Sequence, residues 1–229
     1  MKTSAIIVAD GSGLRLGLET PKAFAEIGGM TLVARALRTL ASVEAVGEAV
    51  VTAPQGMESA MRSQAAISGL QVPIKIVPGG AERQDSVRIA LELVSAEAEI
   101  VVVHDAARPF ASRAMFAACI DAAARSGGAI VAVPLADTLK RVEDGVISAT
   151  IARTGLWQAQ TPQAFRRGLL VEAHERAMSE RIQATDDADL VERLGATVEV
   201  VQGSQLNLKI TTPDDLRIAI ALAPELSSR

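Results

Sequence analysis

Short runs of small and branched aliphatic residues alternate with helix-period segments through the first half of this chain, and nothing else restricts its fold so strongly. The β-rich runs lie at 5–9, 48–53, 74–77, 99–103 and 129–133, separated by helix-period segments at 32–40, 58–67, 86–94 and 114–125. In the third of these segments Val87, Ala90, Leu91 and Val94 follow the i, i+3, i+4, i+7 rule of an amphipathic helix. Near-continuous apolar strands alternating with helices imply an α/β fold with a mainly parallel sheet covered on both faces. Ligands in such folds bind beyond the carboxyl ends of the strands. Aromatics are only 2% of the 229 residues, so the core must be aliphatic.

The rhythm changes near residue 138. Asp144-Gly145 sits between two β-compatible runs, a hairpin signal, and an arm over 138–151 is expected to project from the body. Helices are expected again at 167–178 and 187–194, and strands at 197–201 and 206–210. For a last helix, Thr212 is the N-cap, Pro213 the first helical residue, and Asp215 completes a capping box. No repeat or linker interrupts the chain, which reads as one domain, residues 1–229, with an arm.

The chemistry starts at the end of the first strand. Asp10-Gly11-Ser12-Gly13-Leu14-Arg15-Leu16-Gly17 is followed closely by Pro21-Lys22. Glycines let a backbone approach a ligand and point its N–H groups inward, which is how protein cradles phosphate. A Walker loop would need Lys-Ser or Lys-Thr after its last glycine, but Gly17 precedes Leu18. A dinucleotide fingerprint fails too, because three residues separate Gly13 from Gly17 and the second strand ends in Thr52-Ala53 without an acid. The Gly-x-Gly-x-x-Arg…Pro-Lys loop of nucleotidyltransferases fits; a glycine turn with surface cations is the bland alternative.

Two further segments follow strands. His104-Asp105-Ala106-Ala107-Arg108-Pro109 places an Asp for a hydroxyl or metal and an Arg for a phosphate at a sheet's carboxyl edge. Gly79-Gly80-Ala81-Glu82-Arg83-Gln84-Asp85-Ser86 offers glycines for a flat base and Ser86 as a hydrogen-bonding group, or simply a loop with Asp85 or Ser86 as a helix cap. His104 reads as a hydrogen-bonded strand-end residue, His174 as a solvated helix position, Trp157 as core, and Thr185-Asp186 as a helix start. The single cysteine, Cys119, shares a helical face with Phe116, Ile120 and Ala123 and reads as a buried thiol.

A net charge of −4 argues against a nucleic-acid polymer as partner, which would need clustered Lys and Arg. No apolar stretch approaches the roughly 18 residues of a membrane span, and the start lacks the pattern of a signal peptide, so a cytoplasmic protein is expected.

Taken in order, these motifs resemble the 2-C-methyl-D-erythritol 4-phosphate cytidylyltransferase family almost end to end. Asp137-Thr138-Leu139-Lys140, Gly155-Leu156-Trp157, Thr161-Pro162-Gln163 and Leu208-Lys209-Ile210-Thr211 add to the three segments above. The resemblance implies a Rossmann-like nucleotidyltransferase fold and transfer of a cytidylyl group from CTP to a sugar-alcohol phosphate with Mg2+. It implies that Arg15 and Lys22 stabilise the transition state while Arg153 and Lys209 position the acceptor. Gly11, Ser12, Gly13, Gly80, Ala81 and Ser86 would bind nucleotide, and Asp105, Arg108, Thr138, Thr161 and Thr185 the sugar phosphate. Mg2+ would be held mainly by the CTP phosphates, with Asp105 as a further candidate ligand, and the arm would build a homodimer whose sites are completed across subunits. A ribitol 5-phosphate cytidylyltransferase and a non-catalytic nucleotide-sensing subunit are the alternatives. Two residues depart from the family's pattern: Asp10, where a small apolar residue is usual and where a carboxylate adds negative charge beside the phosphates, and Ala23, where Gln is common.

Overall fold

The computed structural model describes residues 2–18 and 20–224. In chain order its elements are β1 (Thr3–Val8), β2 (Glu26–Ile27), β3 (Met30–Thr31), α1 (Leu32–Ala41), β4 (Val46–Ala53), α2 (Glu58–Ser68), β5 (Ile74–Pro78), α3 (Arg83–Leu91) and β6 (Ile100–Asp105). There follow α4 (Arg113–Ser126), β7 (Gly128–Pro134), β8 (Leu139–Glu143), β9 (Val146–Ile151), β10 (Trp157–Arg166), α5 (Arg167–Glu180), α6 (Asp187–Glu192), β11 (Val198–Gln202) and α7 (Pro213–Ala221). The main sheet runs β11-β7-β10-β6-β1-β4-β5. All its pairings are parallel except those of β10, which lies antiparallel between β7 and β6.

Alternation along β1 sets the two layers. Ala5 and Ile7 face α1, α2 and α4, packing with Val33, Leu37, Met61, Phe116 and Cys119. Ile6 faces the opposite layer, with Val87 of α3, Leu170 of α5 and Leu190 of α6. Successive strand residues point to opposite faces, so a strand buried on both must be apolar throughout. A third cluster lies at the carboxyl edge, where Leu16, Ile27, Phe110, Ile210 and Ala219 of α7 pack together.

The expected capping box of the last helix is present: Thr212 Oγ1 accepts from the Asp215 amide at 3.2 Å, and the Asp215 carboxylate accepts from the Thr212 amide at 2.7 Å. The hairpin is present too, with Asp144 and Gly145 at φ 47° and 80°, the left-handed pair of a type I′ turn. β8 and β9 pair only with each other among the described residues, and Val142, Val146 and Ile147 lie on them exposed.

Several expectations are corrected. The segment 206–210 is not a strand: its backbone serves the loop after β6, with the Ile210 amide donating to the Ala107 carbonyl at 2.8 Å. Trp157 is 44% exposed and opens β10, a strand hidden in the sequence because Pro162 argues against a central strand. The fold accommodates that proline, after a cis Thr161–Pro162 bond, where the β10–β7 register shifts between Ala159 and Gln163. His174 is not solvated but 2% exposed. Neither Asp85 nor Ser86 is the N-cap of α3; that residue is Glu82, paired with Asp85 in a capping box.

Candidate active site

The carboxyl ends of β1, β5 and β6 open onto one cleft. Its larger part, about 410 Å³, is bordered by Asp10, Gly11, Ser12, Lys22, Gly80 and Ala81 on the glycine-loop side and by Arg83, Asp105 and Lys209 opposite. The latter three also border an adjoining pocket of about 180 Å³, together with Arg108, Thr161 and Thr185. The fold therefore brings most of the residues nominated from sequence to one place.

The loop wall is built from backbone. Gly13 and Gly17 bracket a single helical turn at φ 77° and 66°, a region L side chains seldom adopt. A side chain at Gly13 would also lie 2.8 Å from the Lys22 backbone nitrogen, so the loop can fold over Lys22 only with glycine there. Gly11 and Ser12 stand exposed, which leaves their backbone open to a ligand. Arg15 falls in this turn, but its side chain lies outside the described residues.

The opposite wall is built from buried charge. Asp105 accepts from Arg83 Nε at 3.0 Å and from Lys209 Nζ at 2.7 Å. Burial alone would raise its pKa, but the two cations prevail and hold the carboxyl far below the ordinary range. Arg83 continues the chain inward: its Nη1 donates to Asp187 at 2.8 Å, and His174 Nε2 meets the other Asp187 oxygen at 3.0 Å. Asp187 is held low as well, with Arg83 the chief opposing charge to its desolvation. Nothing in the sequence reading grouped Arg83, Asp187 and His174 as a unit.

His104 is a strut. Its ring stacks tilted against Phe116 at 5.0 Å, and its nitrogens meet the Arg108 carbonyl at 3.2 Å and Thr161 Oγ1 at 3.0 Å. A carbonyl can only accept, so Nε2 carries the proton and Nδ1 receives the Thr161 hydroxyl. Desolvation lowers its pKa to about 4, which keeps it neutral at pH 7. Thr161 Oγ1 in turn accepts from the Asp105 amide at 3.0 Å, fixing the acid's strand end. Arg108, 9% exposed, donates to the carbonyls of Asn207 at 2.8 Å and Ala159 at 3.3 Å, and so ties β10 to the segment carrying Lys209.

Three nominated residues sit elsewhere. Ser86 is fully buried, and its hydroxyl lies 2.7 Å from the Asp10 carboxylate, while its oxygen accepts from the Gly80 amide at 3.0 Å. Thr138 and Arg153, at the two ends of the hairpin, are exposed and border neither part of the cleft. Cys119 is buried as expected, its thiol pushed up to about 12 by desolvation, and takes no part in the cleft. No group of three or more His, Cys, Asp or Glu side chains poised for a metal exists among the described residues.

Comparison with known proteins gives the family of the chain. A family model described as 2-C-methyl-D-erythritol 4-phosphate cytidylyltransferase matches residues 3–224. A protein of that description from Syntrophus aciditrophicus is 45% identical over 230 residues, covering 100% of this chain and 98% of its own length. One from Deinococcus radiodurans is 47% identical over 221 residues, covering 96% of this chain and 89% of its own. The crystal structure of the Thermus thermophilus enzyme of the same description superposes with a TM-score of 0.81 at 37% identity, covering 98% of this chain and 100% of that one.

Proposed function

The chain belongs to the 2-C-methyl-D-erythritol 4-phosphate cytidylyltransferase family, and from that premise we propose how its cleft joins CTP to 2-C-methyl-D-erythritol 4-phosphate, releasing pyrophosphate. The acceptor phosphate oxygen attacks the CTP α-phosphorus in line, a P–O bond forms, and the bond to the β-phosphate oxygen breaks with its electron pair leaving on pyrophosphate. A phosphate monoester has its second pKa near about 6, so the nucleophile is already ionised at pH 7 and needs no general base. A neutral, buried His104 and a thiol titrating near about 12 accord with that economy.

The residues then bind, align and stabilise charge. The 11–17 loop offers backbone N–H groups to the triphosphate, and Arg15 and Lys22 stabilise charge on the α-phosphate and leaving group. Lys209, anchored by Asp105, and Arg108 and Thr185 around the adjoining pocket receive the acceptor phosphate, while Thr161, its hydroxyl committed to His104, fixes the strand end that carries Asp105. Thr138 and Arg153 enter from a second copy: we assign the β8–β9 arm, with its exposed Val142, Val146 and Ile147, to a homodimer interface that completes each site. Mg2+ would be carried on the CTP phosphates, since both Asp105 oxygens are already engaged by cations, and bound there it would supply positive charge to offset that of the departing pyrophosphate. The reaction is assigned to the cytoplasm. The observation that carries the reading is the convergence of the glycine loop, Lys22 and the Asp105–Lys209 pair on one cleft.

The test is pyrophosphate release from CTP and Mg2+ with each of two acceptors. Methylerythritol phosphate should give pyrophosphate and the CDP-alcohol by mass spectrometry. Release only with ribitol 5-phosphate, or with neither acceptor, overturns the reading.

A further inference from the structure

Asp10 borders the nucleotide cavity half-buried, and its carboxylate is held by groups of β4 and α3. It accepts hydrogen bonds from the Thr52 hydroxyl at the end of β4 and from Ser86 Oγ of α3 at 2.7 Å. Thr52 Oγ1 in turn accepts from the Ala9 amide at 3.0 Å, so the carboxylate is fixed to the strand that carries it. Gly79 lies directly beneath: any side chain there would come within 2.3 Å of the Asp10 carboxyl carbon. The carboxylate is thus built into the cavity wall between the glycine loop and the Gly79-Gly80 turn.

A triphosphate cannot lie against this group, because like charges repel, so the uncharged base belongs on the β4–β5 side and the phosphates beside Lys22. An ionised carboxylate offers about four lone-pair sites and accepts only. Thr52 and Ser86 occupy two of them, one on each oxygen, and each oxygen of this cavity-lining residue keeps a further acceptor site. Ser86, by contrast, is sealed behind the wall. Cytosine and uracil differ at ring position 4, where cytosine carries an amine donor and uracil a carbonyl acceptor.

Resting on the CTP reading above, we propose that Asp10 is a specificity-determining residue that accepts a hydrogen bond from the 4-amino group of the nucleotide base and rejects a 4-carbonyl. It acts on the choice of nucleotide and takes no part in the bond exchange.

The experiment compares kcat/KM for CTP, UTP and the triphosphate of pyrimidin-2-one riboside, which lacks any 4-substituent, at fixed acceptor. The native enzyme should favour CTP over both, because a site built to bond an amine leaves its own buried polar group unpaired when the amine is missing. Asp10→Asn, whose amide can turn a donor to the cavity, should lower the CTP:UTP ratio at least about tenfold and nearly abolish the difference between CTP and the pyrimidin-2-one nucleotide. Thr52→Val removes a partner of Asp10 behind the wall and serves as the structural control, lowering the thermal midpoint while holding the ratio within about threefold. Equal losses of discrimination in both variants, an unchanged ratio in Asp10→Asn, or native preference for UTP or indifference to the 4-substituent would overturn the proposal. The native comparison stands even where a variant does not fold. Absence of all turnover with CTP would instead overturn the reading on which the proposal rests.

Discussion

The two walls of the cleft hold their positions by opposite means. The 11–17 loop has exposed backbone, two left-handed glycines and one buried anchor, Leu16. The β6 wall is a linked series of polar groups, from the exposed Lys209 through Asp105, Arg83 and Asp187 to the buried His174, each engaged by its neighbour. Backbone amides on an open loop remain available to a ligand, whereas charges that neutralise one another are rigid before any ligand arrives. Substitutions in the first wall should therefore register in turnover, and substitutions of the inner members of the second, Arg83, Asp187 and His174, should register in stability.

The largest effect is expected where the second wall is cut in the middle. Arg83→Ala leaves two buried carboxylates facing each other without their shared cation, and breaking such a pair costs about 3–5 kcal/mol. Urea unfolding should show that loss; a change below about 1 kcal/mol would erase the contrast between the walls. Next comes Lys22→Ala, which should slow kcat by about 10²–10³, the effect of losing one preorganised transition-state donor, with an unfolding midpoint nearly unchanged. A large loss of stability there, or an unaltered kcat, would put Lys22 on the wrong side of the comparison. The smallest effect sharpens the comparison through pH. The folded carboxyls of Asp105 and Asp187 are both held below the ordinary aspartate range, so the unfolded chain binds more protons in acid. Their contribution is complete above the unfolded aspartate pKa of about 4 and is lost as pH falls through the folded values. Asp187→Asn should flatten that acid limb in pH-dependent unfolding, and no substitution within the 11–17 loop should.

Legibility in the sequence divides along the same line. The loop wall was readable because it is local: closely spaced glycines, a preceding strand and a nearby Pro-Lys lie within one short stretch. The capping box of α7 was readable for the same reason. The charged wall was not, because Arg83 and Asp187 stand 104 residues apart and neither leaves a local signal of the other. His174 looked solvated among Glu172, Glu175 and Arg176, and only the folded position of Asp187 explains its burial. β10 was hidden by its proline, and 206–210 resembled a strand by its apolar alternation although its backbone partners belong to a loop.

Leu16, near the start, packs with Ile210 and with Ala219 of α7, near the other end. Domains form as units as the chain emerges, so Leu16 can meet Ile27 and Leu32 early, while its packing against Ile210 and Ala219 waits until those residues have emerged. A nascent chain halted before Thr212 lacks α7, and with it the Ala219 contact beneath the glycine turn.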